Sequence, residues 1–171
     1  DADGLFHGGA AAGMASNLAT ALVQKRSRFY ASGAALERMK LALDFLKRKS
    51  TADGNIDLAT TNFNSPPDSA FAMYGLCSAT YLARQAGARE VEALLEPAVK
   101  RAAGGLVKGG VHTPNHRWVM CAGLAQAYAL YKDAAYLKRI EEWLAEGIDI
   151  DEDGQYSERS SLVYNGVVDK A

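Results

Sequence analysis

The chain has 171 residues, of which 49% are hydrophobic and 23% charged, with a formal net charge of −1. That balance suits a folded chain with a buried core and excludes a strongly basic, polyanion-wrapping protein, so nucleic acid is not an expected partner. No apolar run is long enough to cross a bilayer, so no membrane is expected either. Two cysteines are too few for a disulfide framework, and Cys77 and Cys121, in apolar Ala-rich segments, read as buried free thiols.

Seven segments carry helical periodicity and none alternates convincingly like a strand, which predicts an all-α chain. The first two helices fall at about 9–26 and 34–49. The first is crowded with small residues (GGAAAGMASNLATA), which let helix axes approach closely. In the second, Leu36, Met39, Leu43 and Leu46 share one face, with lysines and arginines opposite. A polar link, TADGNIDLATTNFNS, then leads to a third helix at about 66–86. Here Ser65 reads as the N-cap, Pro66 as the first helical residue and Asp68 as the acidic partner of a capping box. Asn62 and Asn64 stand just outside it, and asparagines there shape a turn as readily as they bind a ligand.

The fourth helix, at about 88–103, contains Pro97, which should kink or split it. After GGLVKGGVHT the fifth begins, at about 114–131, with Thr113 as N-cap and Pro114 in its first position. Asn115 and His116 then fall in the first turn, where unsatisfied backbone N–H groups and the helix dipole favour an anion. The same field disfavours protonation of His116 and leaves its imidazole able to accept a proton. Trp118, Ala122 and Ala125 are expected to face the core. Two of the three histidines, His112 and His116, lie in this one stretch beside Arg117. Capping and packing are the plain alternative for His116.

The sixth and seventh helices are predicted at about 134–146 and 160–171, separated by GIDIDEDGQYSER. The Asp-rich link resembles the start of an EF-hand loop. Counting from Asp149, however, its last ligand position is Ser160, where a bidentate Glu is needed. No metal or other cofactor is therefore expected.

Loop lengths orient these helices. Short links follow the third and fifth, at Gly87 and at Lys132-Asp133, and short links join antiparallel neighbours. The third, fifth and seventh helices should then run parallel, gathering the three long polar loops at one end. The fold this implies is all-α: stacked antiparallel helical hairpins, an α/α toroid or part of one. The polar inventory at the shared end is Asn, His, Arg, Tyr and Glu, with no evident nucleophile and no metal cage. Such a set suits proton abstraction beside a carboxylate, with the carboxylate neutralised by hydrogen bonds while a base removes the neighbouring proton.

The pairing of PNHRW with a downstream DGQYSERSSLVYN resembles the heparinase II/III-like and alginate-lyase-like polysaccharide lyases of α/α-toroid fold. The resemblance covers mainly residues 55–71 and 109–169. It implies β-elimination on a uronic-acid polysaccharide by a carbon–oxygen lyase. Asn115 and His116 match the Asn-His pair of those enzymes. Tyr164, or alternatively Tyr156, matches the catalytic tyrosine, and Glu158 the acidic residue of the downstream segment. Asn62 or Asn64 matches a carboxylate-neutralising asparagine. His112, Arg117 and Arg159 are further candidate substrate-binding side chains. The resemblance also implies an acidic polysaccharide partner and a periplasmic or secreted location.

Both ends read as cuts in a longer protein. Residues 1–171 are thus expected to form one helical domain, an incomplete piece of a toroid that the rest of a parent chain or a second copy completes. Such a piece on its own can lack activity. Two other classes compete. A glycoside hydrolase of α/α type needs paired carboxylates, for which Glu158 with Asp68 or Asp153 is the available pairing. A non-catalytic helical module for carbohydrate or protein would leave Asn115, His116 and Tyr164 apart.

Overall fold

Small side chains decide how the helices meet. In the computed structural model, which describes residues 7–58, 61–111, 113–147 and 149–158, the helices are α1 (Gly8–Val23), α2 (Gly33–Lys49), α3 (Pro66–Gln85), α4 (Arg89–Lys108), α5 (Pro114–Tyr131) and α6 (Ala134–Leu144). The buried face of α1 is Ala11, Ala12, Ala15, Ser16 and Ala19. Opposite it on α3 is Gly75, so close that a Cβ there would stand 2.9 Å from the Ser16 hydroxyl oxygen. Gly123 of α5 lies similarly against Ala70 of α3, at 3.5 Å. These near-bare surfaces bring α1, α3 and α5 side by side, while α2, α4 and α6 each pack on the preceding helix and touch one another far less. The chain is all-α, built of packed helix pairs, and one apolar core runs through it, including Met39, Met73, Leu95, Leu106, Met120 and Leu124.

The direction of the odd helices follows from contacts at both ends. Pro66 and Pro67 at the start of α3 share a recess with His116 at the start of α5. At the far end, Arg84 of α3 donates to the Leu130 carbonyl of α5 at 2.9 Å. The two helices are therefore parallel and in step. Gly8, at the start of α1, packs against Ile56, whose N–H in turn donates to Ser69 near the start of α3 at 2.8 Å. The three N-termini lie at one end, as loop length requires for α3 and α5. The segment predicted as a seventh helix lies outside the described residues. No helix among the described residues is long and apolar enough to cross a membrane.

Four sequence expectations are corrected. A short antiparallel pair, β1 (Ile56–Leu58) and β2 (Asn62–Ser65), interrupts the link before α3. Strands of three and four residues are too short to display an alternation. Pro97 does not split α4, which continues past the glycines at 104 and 105 to Lys108. Burial explains the extension, because Gly105 is packed against Asn55. The first helix stops at Val23, and Gln24–Ser32 turn back with Ala31 donating to the Leu22 carbonyl at 3.0 Å. Finally, α5 is rotated from its expected setting. Its buried stripe is Asn115, Val119, Met120, Gly123, Leu124 and Ala127, while Ala125 is exposed and Trp118 and Ala122 are half-buried.

One turn is built twice. The Thr51 N–H donates to the Asn55 carbonyl at 2.8 Å and the Gly54 N–H to the Thr51 carbonyl at 3.0 Å, beneath a bridge between Ser50 and Ile56. Asp151, Gln155, Gly154, Ile150 and Tyr156 repeat this pattern at 2.8 and 3.0 Å. Each turn needs a residue at positive φ, and glycine supplies it: 102° at Gly54 and 77° at Gly154. In the second copy the Asp151 carboxylate closes the turn by accepting from the N–H groups of Asp153 and Gln155. The Asp-rich stretch thus forms a side-chain-capped turn.

Candidate functional site

At the start of α5, Thr113 has the extended backbone of a cap, φ −143° and ψ 158°, but its side chain makes no capping bond. The acceptor comes from the third loop. Glu158 takes the backbone N–H of Asn115 on one oxygen at 2.8 Å and the Asn115 side-chain amide on the other at 2.7 Å. Asn115 is 1% exposed and Glu158 8%. A carboxylate is a stronger acceptor than a hydroxyl and also meets the positive end of the helix dipole, so it displaces Thr113 from the capping role. The anion favoured at this helix start is therefore one of the protein's own side chains. It brings a full negative charge beside the first turn, a contribution that the helix field alone omits.

Arg117, two residues further along, anchors the same loop. Its guanidinium donates to Asp149 at 2.7 Å, to Glu146 at 2.8 Å and to the Gly147 carbonyl at 3.2 Å. With its side chain only 12% exposed, it joins the start of α5 to the segment leaving α6. Tyr156 is half-buried and bridges Ile150 two residues before Glu158.

The first loop meets His116 directly. A recess of about 120 Å³ is lined by Asn62–Pro67 together with His116. The two asparagines differ sharply in what they can still bind. Asn64, at φ 48°, accepts from Thr51 at 2.7 Å and from Asn55 at 3.2 Å, and donates to Asp53 at 3.1 Å. Its backbone N–H donates to Asp57 at 2.7 Å. Asn64 is thus the knot of the turn. Asn62 is exposed and, among the described residues, its amide makes one long bond, to Asp68 at 3.3 Å. Ser65 caps α3 as expected, accepting from the Asp68 N–H at 3.4 Å and donating to the Asp68 carboxylate.

No protein-family model, curated protein or solved structure matches this chain. The site therefore rests on its own geometry. The end of the molecule brings together Asn62, Asn64, Asn115, His116, Arg117, Tyr156 and Glu158 from three separated stretches. His112, Arg159 and Tyr164 lie outside the described residues. The sequence reading missed Glu158 as a cap, and it missed Asp53 and Asn55 as the partners of Asn64. The Asp-Gly turn was the signal available for the latter pair. A separate recess of about 270 Å³ between α2, α3 and α4 is lined largely by aliphatic groups, including Leu43, Leu76 and Leu94, with Asp44, Lys47 and Arg101 among them and no histidine or tyrosine.

Both cysteines are free and buried. Burial pushes the Cys77 thiol up to about 12 and that of Cys121 to about 11. Neither is a thiolate at neutral pH, and neither suits a nucleophile.

Proposed function

We propose that this chain is a catalytic segment of a polysaccharide lyase that cleaves a uronic-acid polymer by β-elimination. The observation that carries the reading is the shared recess of His116 and the Asn62–Pro67 turn, which pairs an imidazole with an exposed amide. In the proposed reaction the Asn62 amide hydrogen-bonds the uronate carboxylate and stabilises the charge that develops on it. His116 removes the C5 proton. The C4–O bond then breaks, a C4–C5 double bond forms, and a tyrosine, Tyr156 or Tyr164, gives its proton to the departing glycosidic oxygen. Asn115 and Glu158 tie the start of α5, and with it His116, to the third loop.

The hydrolase alternative finds less support. Both Glu158 oxygens accept from Asn115, and the Asp68 carboxylate already accepts from Ser65 and Asn62. The deciding experiment incubates the protein with alginate, glucuronan and glycosaminoglycans and follows the ultraviolet absorbance of an unsaturated uronate. Absorbance should rise on one of them and vanish in His116→Ala, whose helical circular dichroism should match the parent. New reducing ends without that absorbance would establish hydrolysis instead.

A further inference from the structure

Next to the His116 recess lies a second one of about 360 Å³, lined by Asp53, Asn55, Asn64, Pro66 and Lys108 and by the backbone of Gly105, Gly109 and Gly110. Its volume falls within the ~300–1,000 Å³ of small-molecule sites. The two recesses share Asn64 and Pro66, so one chain of linked sugars can cross from one to the other. We propose that this second recess is a saccharide-binding subsite in which Lys108 takes the carboxylate of a uronate. The proposal rests on the uronate-polymer reading above and extends it to the neighbouring sugar unit.

Three features of the recess carry it. The first is how its floor is made. A Cβ on Gly105 would collide with the Asn55 amide oxygen, and one on Gly109 with the Pro66 ring, whereas Gly110 faces open space. Gly105 and Gly109 thus let the end of α4 close onto Asn55 and Pro66, which shape the wall, while Gly110 adds no side chain to the open space of the recess. Its backbone is also held, because Arg139 of α6 donates to the Gly109 carbonyl at 2.8 Å.

The second is a fixed polar wall. Asn55 is 2% exposed and donates to Asn64, which is itself tied to Thr51, Asp53 and Asp57. A wall with no rotamer freedom left loses little entropy when a ligand meets it. Asp53 offers acceptor oxygens to sugar hydroxyls.

The third is charge. Lys108 lies exposed at the end of α4 and makes no ion pair among the described residues, while Asp53 is held by Asn64. The cation of this recess is therefore the group still able to meet an anion. The recess holds no histidine, cysteine or tyrosine, so it binds and does not react.

The test titrates the 171-residue chain, by calorimetry at low salt, with tetramannuronate and with neutral cellotetraose, and runs the elimination assay in parallel. Lys108→Ala should weaken tetramannuronate binding about tenfold or more, the loss of one hydrogen bond to a charged group. Lys108→Arg should restore most of it, and cellotetraose should not distinguish the variants. Tetramannuronate binding unchanged in Lys108→Ala, or absent in the parent, overturns the subsite. Binding that depends on Lys108 without any unsaturated product keeps the subsite and removes the lyase reading. Unsaturated product formed with a KM indifferent to Lys108→Ala keeps the lyase and removes the subsite.

Discussion

The carboxylate of Glu158 closes a two-point bond with Asn115, accepting its backbone N–H at 2.8 Å and its side-chain amide at 2.7 Å. Both residues are buried, so neither side chain has water to fall back on. Glu158→Gln retains the shape but turns an amide NH2 toward a donor. It should cost about 1–3 kcal/mol, measured as a lower urea midpoint at constant slope. Asn115→Asp should cost at least as much, because two carboxylates would then face each other. Stability equal to the parent in both variants would mean that this contact does not hold the third loop.

Gly75 tests the close approach of α1 and α3. Gly75→Ala places a methyl 2.9 Å from the Ser16 oxygen, and Gly75→Val adds bulk that the seam cannot admit. The valine variant should lose about 1–3 kcal/mol through overpacking. Ala at Gly104, where nothing lies within 4 Å, is the control and should not destabilise, since alanine is the better helix former. Equal effects at the two positions would remove the argument that small residues set the helix spacing.

The proposed elimination takes its proton donor from a tyrosine. Tyr164→Phe and Tyr156→Phe should separate cleanly, one losing about a hundredfold or more in kcat and the other staying near the parent. Treatment with a chelator should leave the rate unchanged. A rate that survives both substitutions would exclude a tyrosine acid, and strong loss on chelation would require a metal.

The buried thiols make stability fall at high pH. An unfolded cysteine releases its proton near 9.0, whereas folded Cys77 holds on to about 12 and Cys121 to about 11. Above pH 9 the unfolded chain therefore binds fewer protons than the folded one, and stability declines as pH rises. Below that range the two thiols contribute no slope. Thermal midpoints measured from pH 7 to 11 should be flat at first and then fall, and Cys77→Ala should fall less steeply. Iodoacetamide should react slowly with the folded protein at pH 7 and quickly once urea unfolds it.

Local sequence was enough to place most helices. Ser65-Pro66 and Thr113-Pro114 mark the starts of α3 and α5 through proline's fixed φ and missing N–H, and both helices begin there. The short links at Gly87 and Lys132-Asp133 were enough to make α3 and α5 parallel. That parity carried Asn62 and His116 into one recess. Pro97 misled because a proline inside a helix forfeits one hydrogen bond but does not have to end the helix when packing on both sides continues it.

What the sequence alone determined is thus the starts of α3 and α5 and the end of the molecule at which their polar loops gather, because caps and loop lengths act over a few residues. Only the tertiary structure decided which way α5 faces and which acceptor satisfies its first turn. Thr113 and Glu158 both had the chemistry to cap Asn115. The choice went to a residue far along the chain because folding brings a charged, doubly accepting carboxylate onto that helix start, and no pattern within the helix records its arrival.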